Sequence, residues 1–228
     1  MNRIRRWFSF FLATGACATL IAPAKGQAPV FLHVDLDTSA LVGLPSPPAP
    51  FYLDFQLLDG SLTLDAVNTV KIENFQFGGG MPSGTPLPTG DAVGDLSSTV
   101  TLQDDFSTFN DFVQPFVPGN RLSFDAVLTT NVDAGGTPDE FSFAILQQAN
   151  NFFGFAEIPT EGPGDALLTV DLDGPIPTLN TYGSDLTRTD IALPAPVALF
   201  VPGPGVSTLL ASLALCGACL SPLLRRRI

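Results

Sequence analysis

Apolar and polar residues alternate with a period of two through the middle of the chain. Val30, Leu32, Val34 and Leu36 fall on one side of such a stretch; Phe31, His33, Asp35 and Asp37 fall on the other. Phe51, Leu53, Phe55 and Leu57 alternate with Tyr52, Asp54 and Gln56, and Leu122, Phe124, Ala126 and Leu128 with Arg121, Ser123 and Asp125. Phe141, Phe143 and Ile145 alternate with Glu140, Ser142 and Ala144, and Leu168, Val170 and Leu172 with Thr169, Asp171 and Asp173. A strand with one face on a core and the other toward water reads this way. Less regular strands are expected near 68–77, 93–103, 152–157 and 186–192. Turn signals separate the stretches: Asp59-Gly60, Gly78-Gly79-Gly80, Gly135-Gly136 and Asp173-Gly174. One segment departs from the pattern. From Asp105 to Gln114, Phe106, Phe109, Phe112 and Val113 recur at three- and four-residue spacing, which predicts a short helix. The sum is an all-β chain, with an antiparallel β-sandwich or jelly-roll-like domain over 27–192.

Both ends break the alternation with uniform apolarity. Residues 1–24 have the form of a signal peptide and predict an N-terminal signal helix. Arg3, Arg5 and Arg6 precede an uncharged run from Trp7, and Ala22-Pro23-Ala24 sets Ala22 and Ala24 at the spacing of a cleavage site. At the other end, Val206 to Leu224 carries no charge, and Arg225, Arg226 and Arg227 follow at once. At about 1.5 Å per residue this segment just spans a bilayer core of about 30 Å, so 206–228 reads as a transmembrane helix. The basic cluster favours a cytoplasmic C-terminus. Residues 193–205, with four prolines, two glycines and no charge, read as an extended spacer. The three cysteines lie in the two end segments: Cys17 in the first, Cys216 and Cys219 in the second. The body therefore has no internal disulfide and depends on packing. Sixteen of the 19 phenylalanines lie in it and are expected to supply that packing.

Val201-Pro202-Gly203-Pro204-Gly205, the Ser207-Thr208 pair, one apolar span and a terminal arginine cluster together resemble the PEP-CTERM sorting signal. The family's usual core reads Val-Pro-Glu-Pro, and Gly203 stands where its Glu would be. The resemblance extends to small exported PEP-CTERM proteins through Phe51–Gln56, Ile72–Phe75, Gly94–Leu96, Phe109–Phe112, Leu122–Asp125 and Val170–Gly174. It implies passage through the export translocon, removal of the leader by signal peptidase, and transient anchoring in the inner membrane. An exosortase would then recognise Val201, Pro202, Gly203 and Pro204, with Arg225 to Arg227 fixing orientation. The implied destination is the cell surface or an extracellular matrix rich in exopolysaccharide, as in a biofilm. The family lends no active site, and the chain is expected to be non-enzymatic.

Charge narrows the partners further. Between residues 25 and 200 only Lys25, Lys71, Arg121 and Arg188 are basic, against 22 acidic residues. Nucleic acid is excluded, because binding a phosphate backbone requires a basic footprint. The single histidine, His33, excludes metal sites built on imidazole, and no Gly-x-Ser-x-Gly elbow accompanies it. No cofactor is expected. Calcium is the one metal that the composition suits, since it takes oxygen ligands alone. Asp35 with Asp37, and Asp171 with Asp173, share strand faces; Asp59, Asp104 and Asp105 fall near strand ends. Two carboxylates would also serve a glycosidase, but spacing singles out no pair. Carbohydrate binding suits a sandwich in a polysaccharide matrix, and Tyr52 and Tyr182 are the amphipathic rings of the body.

Overall fold

A computed structural model describes residues 28–45, 49–64, 67–132, 137–148, 154–172 and 176–203. The expected signal helix, its cleavage residues Ala22 and Ala24, the span 206–228, Pro204, Asp173 and Arg225 to Arg227 lie outside the described residues. Among the described residues no helix is long and apolar enough to cross a membrane.

The strands are β1 (Val30–Asp37), β2 (Phe51–Leu58), β3 (Thr69–Gln76), β4 (Met81–Pro82), β5 (Leu87–Thr89), β6 (Ala92–Gly94) and β7 (Val100–Gln103), followed by β8 (Phe109–Val117), β9 (Arg121–Leu128), β10 (Glu140–Gln148), β11 (Phe155–Glu157), β12 (Leu168–Asp171), β13 (Thr178–Thr181) and β14 (Val197–Val201). Among the described residues, two short 3-10 turns, Ser39–Leu41 and Pro163–Asp165, are the helical elements. The strands form two antiparallel sheets. One runs β14-β1-β9-β3-β7-β6; the other runs β13-β12-β10-β2-β8-β4, with β11 beside β10 and β5 beside β8. The protein is thus all-β and sandwich-like.

The alternation read from the sequence sets what the sheets bury. Leu32, Val34 and Leu36 of β1, with Leu122, Phe124, Ala126 and Leu128 of β9, are all essentially inaccessible. So are Phe51, Leu53, Phe55 and Leu57 of β2 and Phe141, Phe143 and Ile145 of β10. Phenylalanines from both sheets interlock. The Phe55 ring meets Phe124 edge-on at 5.3 Å and lies nearly parallel to Phe143 at 5.2 Å; Phe124 meets Phe143 at 5.2 Å and 76°. Full burial of one such side chain contributes about 1.5–3 kcal/mol, and the ring pairs add to it.

Three local expectations are corrected. The segment predicted as a helix is strand β8, paired along its length with β2 from Phe51↔Phe116 to Leu58↔Phe109. Its core face carries Asn110, Phe112, Gln114 and Phe116, all buried. The two polar members obscured the period of two in the sequence. They are needed there because the Asn110 carbonyl accepts the Asp91 N–H at 2.7 Å and the Gln114 carbonyl accepts the Leu96 N–H at 2.8 Å, which docks the chain around β6 onto β8. Residues 186–192 form a turn, not a strand; the Asp185 carboxylate accepts the Thr187 N–H and hydroxyl at 2.9 and 2.6 Å. The stretch 193–205 contains β14, which pairs with β1 from Phe31↔Val201 to Asp35↔Val197, and Leu193 is buried.

Candidate functional site

The outer face of the larger sheet carries the best-formed site. Facing away from the core, β2 presents Tyr52, Asp54 and Gln56; β10 presents Glu140, Ser142, Ala144 and Leu146; β8 presents Asp111 and Val113. Cross-strand pairing brings them together: Asp54 lies opposite Ala144 on one side and Val113 on the other, and Gln56 lies between Ser142 and Asp111. This face is not open to water throughout. The turn Pro163–Asp165 and Ala166 stand over part of it and enclose a hollow of about 230 Å³ whose floor is Asp54, Gln56, Ser142 and Ala144. Ligand pockets for larger molecules usually start near 300 Å³, so this one suits a single small, polar unit. Arg188 anchors the turn, bonding Asp165, Asp185 and the Thr160 carbonyl.

The electrostatics centre on Asp54, which is only 3 % exposed. One carboxylate oxygen accepts the Gln56 amide at 2.9 Å. The other is buried without a donor, as is one oxygen of Asp111. Burial, followed by the hydrogen bond and charge of Asp111, pushes Asp54 up to about 9. Asp111 is raised as well, chiefly by burial and by the charge of Glu157, while its bond to Asp54 works the other way. The two carboxyls therefore share one proton at neutral pH, with Asp54 donating to Asp111. Glu140, beside the hollow, is also raised by burial and by Asp171 opposite it. The floor thus offers the Asp54 carboxyl, the Gln56 amide and the Ser142 hydroxyl within one small area. About 7 Å further along β2, two residues on, Tyr52 packs against Phe155 of β11 at 4.4 Å. Phe155 is 46 % exposed, so the two rings form a ledge beside the polar floor.

Of the residues singled out by sequence, Tyr52 belongs to the ledge and Asp171 lies opposite Glu140, while most of the others lie elsewhere. His33 lies on the outer face of the smaller sheet, with Nδ1 2.7 Å from Asp125, which also accepts the Asn74 amide at 2.8 Å. Asp35 is held by Arg121 through two contacts, and Asp37 accepts the Ser39 N–H at 2.9 Å. Asp171 lies on the larger sheet opposite Glu140. Tyr182 packs near Gly162, behind the turn that walls the hollow. Val201 ends β14, Pro202 follows, and Gly203 lies against the Phe31 ring so closely that a Cβ would stand 2.5 Å from its Cε2. Among the described residues no three His, Cys, Asp or Glu side chains converge as a metal site.

Comparison with protein-family models, with curated proteins and with solved structures gave no match. The site therefore stands on its geometry. Sequence reasoning put Asp54 on a wet face and read the phenylalanines of the body chiefly as packing. Alternation reveals which side a residue takes, but not whether a distant turn will cover that side. The Tyr52-x-Asp54-x-Gln56 run, with Asp111 in another strand, was the available signal, and recognising it required knowing that β8 is a strand beside β2.

Proposed function

We propose that this is an exported, non-enzymatic surface or matrix protein that holds polysaccharide on the outer face of its larger sheet. The leader, the C-terminal span with its arginines and the Val201–Pro204 motif support delivery through the inner membrane and release by an exosortase. The observation that carries the binding reading is the polar floor of Asp54, Gln56 and Ser142, with Asp54 bonded to Asp111 beside it and the Tyr52–Phe155 ledge two residues along β2. A sugar ring offers hydroxyls that both donate and accept, and an apolar C–H face. The floor matches the first and the ledge matches the second.

Charge selects among sugars. Glu140 lines the hollow, Asp171 and Asp111 lie on neighbouring strands, Glu157 acts on Asp54 by charge, and few cations lie in the body to balance them. Uronic acids are repelled from such a face, while neutral and amine-bearing sugars are accepted. Calorimetric titration of the full chain in mild detergent with a polymer of amino sugars, a neutral glucan and a polyuronate tests this. Binding of the first or second, lowered at least about tenfold by Tyr52→Ala and by Gln56→Ala, is expected. Preference for the polyuronate, or affinity unchanged by both substitutions, would overturn the reading. Delivery has its own test: mass spectrometry of the mature protein from its native cells should show both termini trimmed. An intact chain would defeat the sorting proposal.

A further inference from the structure

The two sheets end together at one pole of the sandwich. In the smaller sheet, Leu128 at the end of β9 lies between Val30 and Val70, near the starts of β1 and β3. Thr69 lies opposite Gln103 at the end of β7, and Phe31 opposite Val201 at the end of β14. In the larger sheet, Leu58 at the end of β2 lies between Phe109 and Glu140, the first residues of β8 and β10. Asp171 at the end of β12 lies between Glu140 and Thr178, the first residue of β13. Asn68 ties the two sheet ends together. Its N–H donates to Asp104 Oδ1 at 2.6 Å, just past β7, and its amide to Asp139 Oδ2 at 2.7 Å, just before β10. The connections at this pole carry Leu62, Leu64, Val67, Phe106, Val132 and Ile176 on the surface. Phe106 and Ile176 are each 82 % exposed, and Leu62 is 71 % exposed. Single surface apolar residues are ordinary, but six on the connections of one end indicate a face that is covered in use. Leu62 and Leu64 are held there against their own preference. Both have left-handed backbone, φ 60° and 57°, which a bulky side chain rarely adopts. The buried Asp59 carboxylate fixes that shape by accepting the N–H groups of Ser61, Leu62 and Leu64 at 2.8–2.9 Å.

We propose that this pole docks on the phospholipid bilayer that holds the C-terminal span, with its apolar loop residues in the interfacial layer. The length of chain beyond the sheet selects this occupant. Val201 ends β14 at this pole, and the uncharged segment begins at Val206. The 19 residues from Val206 to Leu224 only just cross the hydrocarbon core, so Val206 lies at its edge when the segment spans. From Gly203 to Val206 is three steps, ~10 Å at full extension. The polar layer on each side of the core is itself about 5–8 Å thick. The tether is therefore too short to hold the pole clear of the lipid headgroups. The opposite pole, ~26 Å away along β8, faces away from them. Charge sets the kind of contact. The connections 59–68, 104–108, 129–139 and 172–177 contain seven Asp and no Lys, Arg or His. Docking thus rests on apolar side chains in the interface and gains nothing from anionic headgroups. The inference rests on the C-terminal span of the sorting proposal and is independent of sugar binding.

The test places the full chain in phosphatidylcholine vesicles, with Trp7→Phe to remove its one tryptophan. Phe106→Trp and Ile176→Trp then report on this pole. Met81→Trp reports on the other, because Met81 lies opposite Val117 at the far end of β8. All three positions are exposed, so the substitutions leave the core untouched. Phosphatidylcholine brominated near the headgroup end of its acyl chains quenches tryptophan at that depth. Emission from Phe106→Trp and Ile176→Trp should fall about twofold when the brominated lipid replaces the plain one, as for side chains seated in the interface. Emission from Met81→Trp should stay level. Equal quenching at all three positions, or none at the pole, would overturn the proposal. So would a blue shift at the pole without quenching, which marks burial against a second chain instead of lipid. Flotation of the same vesicles separates the two failures. A chain that floats with an unquenched pole keeps its anchor and loses the docking; a chain that does not float loses both.

Discussion

Replacing Asp54 by Asn should stabilise the protein at neutral pH, by an amount that grows with pH. In the unfolded chain Asp54 ionises near 3.8; in the fold it holds its proton up to about 9. Between those values the folded state binds more protons than the unfolded state, so stability falls as pH rises through the window. Near pH 7 about three of the five intervening pH units have been crossed. At about 1.4 kcal/mol per unit, Asp54 then opposes folding by ~4 kcal/mol. Asparagine removes the titration yet keeps the bonding: its N–H₂ donates to Asp111 in place of the shared proton, and its carbonyl accepts the Gln56 amide. Urea unfolding of both proteins, followed by circular dichroism, gives the difference directly. Acids elsewhere titrate alike in the two chains and cancel. The variant should match wild type near pH 4 and exceed it by ~4 kcal/mol near pH 7. A variant that is less stable at neutral pH, or a difference that ignores pH, would refute the shared-proton assignment.

Further expectations concern packing and the turns. Phe55→Ala removes the ring that meets Phe124, Phe141 and Phe143, and should cost about 3–5 kcal/mol in the same urea assay. Arg188→Gln releases the turn Pro163–Asp165, so sugar affinity should fall while the urea midpoint stays within experimental error; an equal loss of both would place Arg188 in general stability instead. Gly203→Glu sets a Cβ into the Phe31 ring and should speed hydrogen exchange in 197–203 while leaving β2 and β10 unchanged. Exchange that stays slow would mean that Phe31 has room to move aside.

The strands that alternate most strictly were legible to within a few residues, because one side of each meets the core along its whole length. β1 and β9 are the clearest cases. β8 was not legible, since Asn110 and Gln114 occupy core positions to anchor the neighbouring chain, and their bonds cannot be seen without that chain. β14 was hidden by prolines around it and by apolar residues on both its faces; an edge strand needs hydrogen bonds on one side only, so its composition is weakly constrained. The site was the least legible part. Asp54, Asp111 and Glu157 are far apart in sequence and meet through pairings of β2 with β8 and of β10 with β11.

The pairing of β14 with β1 also has a mechanical consequence. Val201 lies opposite Phe31, so the chain enters and leaves the domain at neighbouring points on one pole. A pull that separates the two ends loads the rungs between these strands singly, beginning at Val201, as a zip fastener opens. The outermost ribbon would peel away under modest tension, while the phenylalanine-filled interior behind it stayed shut.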